Sequence, residues 1–159
     1  MNKVAIISDS HGGLDRLHSA LENIQSAGIQ TVLHAGDCVA GNFAELLGSF
    51  PDLNFFIARG NCDIDEAELA KIRELPNVEM RDLIETKFTD KKIAIAHKIE
   101  ELNGVEADIY ISGHTHIPRI QKVDNQLWIN PGSLFDSHRY LILDIDTLEL
   151  EGKLFNEKI

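Results

Sequence analysis

Residues 3–11 read KVAIISDSH, and the fold turns on them. Residues 4–7 are consecutively apolar, two of them isoleucine, and the run is too short for a helix. A short apolar run of this kind is a strand buried on both faces. It ends at Ser8 and places Asp9 and His11 just beyond its C-terminal end. Gly12-Gly13 then break the run, and residues 14–27 space Leu14, Leu17, Leu21 and Ile24 as one helical face, with Gly28 as the stop.

The same construction repeats along the chain. TVLHA at 31–35 is a second strand and ends in Gly36-Asp37. Residues 41–49 form a short helix with Phe43, Leu46 and Leu47 on one side. NFFIA at 54–58 is a third strand and ends in Arg59-Gly60-Asn61-Cys62-Asp63. Strand, helix, strand, helix, strand with short links predicts a parallel sheet with right-handed crossovers. A helix over 65–74 ends at Pro76. The second half reads as hairpins: residues 84–97 turning at Thr89-Asp90-Lys91, residues 119–130 turning at Asp124-Asn125, and residues 139–155 turning near Asp146-Thr147. There is no internal repeat, low-complexity tract or linker. The expected fold class is α/β, a two-sheet sandwich with one mixed sheet and one hairpin-rich sheet, in a single domain over 1–159.

Bulk properties narrow the function. The chain has 159 residues, 43% of them apolar, and a formal net charge of −11. That length buries a real core without disulfide or metal staples. The acidity disfavours nucleic acid as a partner, because nucleic-acid binding relies on Lys and Arg neutralising phosphates. It leaves a small phosphate-bearing substrate open, since bound cations invert the local field. Cys38 and Cys62 fit no zinc-ribbon or redox spacing and read as reduced thiols. The N-terminus has no signal-peptide pattern, and no apolar run approaches the ~20 residues of a membrane span. The expected location is the cytoplasm.

The polar residues carry the chemistry. In open α/β sheets, function sits beyond the C-terminal ends of the strands. KIAIA at 92–96 ends in His97, and DIYIS at 108–112 ends in Gly113-His114-Thr115-His116. Five strands of one sheet are therefore expected to bring Asp9, His11, Asp37, Asn61, His97, His114 and His116 to one edge. Mixed carboxylate and imidazole ligands suit borderline divalent metals. Seven are too many for one tetrahedral site, whereas two metals about 3.5–4 Å apart, sharing a bridging carboxylate, use them all. Within Gly-His-Thr-His the two imidazoles can address different metals from one rigid turn, with Pro118 stiffening its exit.

These motifs in this order resemble the calcineurin-like metallophosphoesterases. The likeness runs from Asp9 to the NPGS at 130–133, and GNCD followed by GHTHIP is most similar to the small prokaryotic phosphodiesterase branch (YfcE-type). That family's fold is a two-sheet α/β sandwich. The resemblance implies that Asp9, His11 and His116 bind one metal, that Asn61, His97 and His114 bind a second, and that Asp37 bridges both. It implies hydrolysis of a small phosphate ester, a diester rather than a monoester, by attack of a metal-bridging hydroxide. Asp37, Asn61 and His114 are the expected catalytic residues. Mn²⁺ is the expected ion, with Ni²⁺, Fe²⁺ or Zn²⁺ as alternatives.

Two positions depart from wider family patterns. Many members carry a histidine after Gly-Asn that protonates the leaving group; here Cys62 stands there, as it does in the YfcE-type branch, and a neutral thiol is a poor general acid. Lys98 follows His97 where the branch has glycine; it reads first as solvated and second as a cation near substrate. Arg59 and Cys62 are candidate substrate contacts, with a structural ion pair as the competing reading of Arg59. His34 is either an outer partner of a ligand or a packed strand residue. His18 reads as a helix-surface residue, Trp128 and Phe135 as core or hairpin packing. Two rival functions stand: a non-enzymatic protein-interaction scaffold on the same fold, as in the retromer subunit that resembles this family, and a metal-dependent hydrolase of another substrate such as an amide. Homo-oligomerisation through exposed strands around Trp128 or Leu141–Leu143 is left open.

Overall fold

The computed structural model describes residues 2–154. Two mixed sheets pack face to face, with helices covering one outer face. The first sheet is built from β1 (Lys3–Ile7), β2 (Thr31–His34), β3 (Asn54–Ala58), β4 (Val78–Arg81), β10 (Arg139–Asp144) and β11 (Leu150–Leu154), in the order β11-β10-β1-β2-β3-β4. β1 to β4 are parallel neighbours, and β10 joins antiparallel to β1. The second sheet holds β5 (Leu83–Phe88), β6 (Lys91–Ala96), β7 (Ile109–Ile111), β8 (Arg119–Val123) and β9 (Gln126–Asn130), in the order β5-β6-β7-β9-β8.

Alternation along each strand explains the continuous apolar runs. On β1, Val4 and Ile6 face the second sheet, while Ala5 and Ile7 face the helices α1 (Leu14–Ser26), α2 (Phe43–Gly48) and α3 (Glu66–Arg73). Ile93, Ile95, Ile109, Ile111 and Ile129 supply the other half of the inter-sheet core. A strand buried on both faces has no use for polar alternation.

The predicted elements are present within two or three residues of their expected ends, and all three hairpins form. Phe155, the last residue of the third, lies outside the described residues. Four features were not anticipated: β4, the 3₁₀ turn Ile99–Leu102, the four-residue helix α4 (Leu134–Ser137), and the placement of the third hairpin in the first sheet. β4 has no fully buried residue, and its VEMR sequence carries little strand signal. Two expectations are corrected. The five motif-bearing strands do not share one sheet: β1, β2 and β3 lie in the first, β6 and β7 in the second. After β3 the chain adds β4 at the edge and then crosses over, because β5 pairs with β6 and both cover the inner face of the first sheet. Leu141–Leu143 is buried in the two cores through the pairing with β1, so it offers no dimer surface.

Phe43 is fully buried beneath α1 and α3. Phe43→Ala is expected to lower the unfolding free energy by about 3–5 kcal/mol. Urea denaturation should show a shifted midpoint at unchanged slope.

Candidate metal centre

The C-terminal ends of β1, β2, β3, β6 and β7 meet where the two sheets abut, and all seven predicted residues converge there. Asp9, His11 and His116 form one cluster, and Asp37, His97 and His114 a second, each with its donor atoms within 4.8 Å of one another. Asn61 joins the second cluster through Oδ1, 3.1 Å from His114 Nδ1. His114 Nδ1 is also 3.2 Å from His97 Nε2. Asp37 reaches toward both groups: its Oδ2 lies 3.1 Å from His97 Nε2, and its carboxylate also clusters with His11 and Cys62.

The backbone is strained where the donors sit. Asp9, His11, Asp37, His114 and His116 all have φ between 44° and 70°. This left-handed region is rare for non-glycine residues, and such conformations gather at functional sites where surrounding structure enforces them. The enforcement is visible. His11 N donates to Asp37 O at 2.8 Å, and His114 N donates to Asp9 Oδ2 at 3.0 Å. Ser8 Oγ donates to the same Asp9 oxygen at 2.6 Å, and Ser133 Oγ donates to Asp9 O at 2.9 Å. Asn130 Nδ2 donates to Gly113 O and to Thr115 Oγ1, tying the NPGS loop to the histidine turn.

Asp9 Oδ1 tests whether a cation suits the site. It is buried and has no hydrogen-bond partner among the described residues. It lies 3.3 Å from His116 Nε2 and 3.9 Å from His11 Nε2, and those two nitrogens are 3.1 Å apart. An orphaned buried carboxylate oxygen is costly unless something positive answers it. A divalent ion among three converging N and O donors answers it, so the residues fit a metal.

Outer partners orient the donors. His97 Nδ1 is 2.7 Å from Ala35 O and donates there, leaving Nε2 to face Asp37. His116 Nδ1 is likewise 2.6 Å from Asp136 Oδ2. Burial pulls His97 down, but the hydrogen bonds to Asp37 and Ala35 O outweigh it, and its pKa is raised. Burial pushes Asp37 up, but the bonds from His97 and the Cys62 amide outweigh that and hold it at about 2. Desolvation, then the neighbouring His97, lowers buried His34 to about 3. Neutral His34 accepts from Gly36 N at 3.0 Å and meets Ser10 Oγ at 3.0 Å, so it supports the two turns that carry Asp9 and Asp37.

Three residues that sequence reasoning did not assign also shape the site. Asp63, fully buried, accepts from four backbone amides: Asp37, Gly60, Cys38 and Val39. Asp136 holds His116, and Ser8 holds Asp9. An aspartate after Gly-Asn-Cys was visible, but three of its four partners lie 24 to 26 positions away. The peripheral candidates separate. Cys62 is exposed, its amide donates to Asp37 Oδ1 at 2.9 Å, and desolvation and Asp37 raise its thiol pKa. Arg59 donates from Nε to Asp63 O at 2.9 Å and pairs with Glu66 at 3.2 Å, the structural ion pair that was its competing reading. Phe135, expected in packing, is 40% exposed, with its ring edge toward His11 and Arg16 over its face.

Residues 2–148 match the calcineurin-like phosphoesterase superfamily domain, and the chain belongs to this family. Phosphodiesterase MJ0936 of Methanocaldococcus jannaschii is 31% identical, over 98% of this chain and 97% of the relative. A solved archaeal phosphodiesterase superposes with a TM-score of 0.82 at 27% identity, covering 96% of this chain and 99% of that one. The Escherichia coli phosphoesterase Yfce has a TM-score of 0.72 at 20% identity, covering 97% and 100%, and shares the fold. The likeness to the small prokaryotic phosphodiesterase branch therefore extends along nearly the whole chain. The family implies divalent metal ions.

A Cβ on Gly113 would collide with Ser8 Oγ and lie 2.6 Å from Asp9 Oδ2. Gly113→Ala is thus expected to push Asp9 aside and weaken Mn²⁺ binding by about 10–100-fold, as loss of an orienting partner does; calorimetric titration checks it. His34 gives a stability signature in metal-free protein. Between pH 6.5 and about 3 the unfolded chain takes up a proton on His34 that the folded chain refuses. Stability should therefore rise with pH across that window, by up to about 1.4 kcal/mol per unit. Urea midpoints of wild type against His34→Gln should show the shallower slope in the variant.

Proposed function

We propose that the chain is a two-metal phosphodiesterase, acting as one domain over 1–159 on a small phosphate ester. The observation that carries this is the pair of donor clusters, joined by Asp37, at the junction of the two sheets. Asp9, His11 and His116 would hold one ion; Asn61, His97 and His114 would hold the other; Asp37 would serve both. When bound, two such ions supply a water of lowered pKa and a clamp for phosphoryl oxygens. Mn²⁺ is the ion we expect, with Ni²⁺, Fe²⁺ or Zn²⁺ as alternatives, since a mixed oxygen and imidazole donor set suits several borderline ions.

The chain's own residues do the positioning. Asp37 stays anionic at any working pH, because its pKa is held at about 2. His97, with Nδ1–H committed to Ala35 O, keeps Nε2 toward the site. Asp136 does the same for His116. Asp63 fixes the loops carrying Asp37 and Asn61 through their amides. His114 and Asn61 are exposed at the mouth, where they can also meet the phosphoryl group. The raised pKa of Cys62 keeps its thiol protonated yet makes it a weak acid, so departure of the leaving group rests on the leaving group's own stability. Family membership favours a phosphate ester over an amide. A full set of competent donors favours an enzyme over a scaffold, since a scaffold has no need to retain it.

Protein stripped of metal and refilled with Mn²⁺ should hydrolyse bis(p-nitrophenyl) phosphate faster than p-nitrophenyl phosphate, and the rate should fall steeply as the leaving group becomes more basic. Asp37→Asn should fold normally and lose more than about 100-fold in rate, beyond the range of an outer-partner loss. Absence of turnover with Mn²⁺, Ni²⁺, Fe²⁺ or Zn²⁺ despite bound metal would return the chain to the scaffold reading.

A further inference from the structure

The second sheet has an outer face that α1–α3 do not cover. Tyr110 and Trp128 stack on it at 4.0 Å, and the 3₁₀ turn Ile99–Leu102 packs over one side through Leu102. Between that turn and β8 lies a cavity of about 450 Å³. This is within the range of pockets that hold small molecules. None of the seven candidate metal ligands lines it; Gly113, Thr115 and Asn130 form the wall between it and the histidine turn.

Register fixes which side chains face this groove. On β8, Arg119, Gln121 and Val123 pair directly with Asn130, Trp128 and Gln126, so they project from the same outer face. Trp128, Ile99 and Val123 give apolar surface, and exposed Ile117 forms the rim. Ser112 and Arg119 are among the polar side chains that line it. Ser112 is only 5% exposed, lies one position past β7, and lines the groove floor. Its hydroxyl can both donate and accept, and so gives a ligand atom in the groove a polar contact. Arg119 donates to Gln121 Oε1 but has no carboxylate partner among the described residues, although the chain carries 26 acidic residues. An unneutralised guanidinium beside an apolar pocket is a fork for a carboxylate.

We infer that this groove is a second binding site, separate from the metal centre, for a small aryl or branched-alkyl carboxylate. The apolar body would lie against Trp128, with the carboxylate toward Arg119 and the Ser112 hydroxyl at the floor. One guanidinium matches one negative charge, whereas a phosphate dianion would be left half-neutralised on a strongly acidic protein.

Trp128 is the chain's only tryptophan, so its emission reports on this groove directly. The test is titration of the full chain with 4-phenylbutyrate, Mn²⁺-loaded and with excess inorganic phosphate present to occupy the metal edge. The expected result is a saturable change at a single site. Binding should weaken about tenfold for the uncharged 4-phenylbutyramide and for Arg119→Glu, as loss of a charge-assisted bond predicts. Ser112→Leu, which fills the floor, should abolish it. Arg119 lies on an exposed strand, so Arg119→Glu remains informative if Ser112→Leu fails to fold. The assignment is overturned by an unsaturable response, by equal affinity for acid and amide, by wild-type affinity in Arg119→Glu, or by loss of binding when phosphate is added. Emission that shifts with protein concentration alone, together with a dimer in sedimentation, would assign the groove to self-association and also overturn it.

Discussion

Four backbone amides converge on one buried carboxylate, and the site depends on that convergence. Asp63 Oδ2 accepts from Asp37 N at 3.0 Å and Gly60 N at 2.7 Å; Oδ1 accepts from Cys38 N at 2.9 Å and Val39 N at 2.8 Å. The donors come from the loops after β2 and β3, so one side chain locks two strand ends together. Hydrogen bonds to an ionised acceptor are stronger than neutral ones, and several of them offset the cost of burying the charge. Gly60 completes the arrangement: a Cβ there would overlap the Asp37 carboxylate, so the two loops approach as closely as backbone allows.

That rigidity makes the backbone strain sustainable. Left-handed residues at Asp9, His11, Asp37, His114 and His116 each cost about 1–3 kcal/mol, and none would persist in an isolated loop. Here the strained turns brace one another within each sheet's edge and, through His114 N and Asp9, across the sheet boundary. His11 bonds to Asp37 O, His114 to Asp9, and Gly113 N to His97 O. The result is a set of donors whose directions are set by backbone rather than by side-chain rotamers. Preorganisation of this kind keeps reacting groups in place without reorganisation at the moment of chemistry.

Electrostatics follows from the same geometry. Carboxylates Asp9, Asp37 and Asp63 are nearly or fully buried at one edge of an already acidic protein. Amides neutralise Asp63, and His97 and the Cys62 amide partner Asp37. Asp9 keeps one oxygen with no hydrogen-bond partner among the described residues. The imbalance sits where three donors meet, which is the electrostatic reason a cation belongs there.

Much of this was legible in the sequence. Apolar runs ending in Asp-x-His, Gly-Asp, Gly-Asn, His and Gly-His-x-His located β1, β2, β3, β6 and β7 and named all seven converging residues, because strand length and burial leave a local signature. Three hairpins were legible for the same reason. Sheet membership was not. Whether a strand joins the first or the second sheet depends on pairings such as Ile6 with Leu141, 135 positions apart, and local periodicity carries no trace of them. The outer partners Asp63, Asp136 and Ser8 were equally invisible, since a carboxylate or hydroxyl reads alike whether it is solvated or holds a distant amide. The amino-acid sequence by itself therefore determined which groups arrive at the strand ends. Only the tertiary structure decided which of them face one another, because burial and hydrogen bonding between segments far apart in the chain exist only once both sheets have packed.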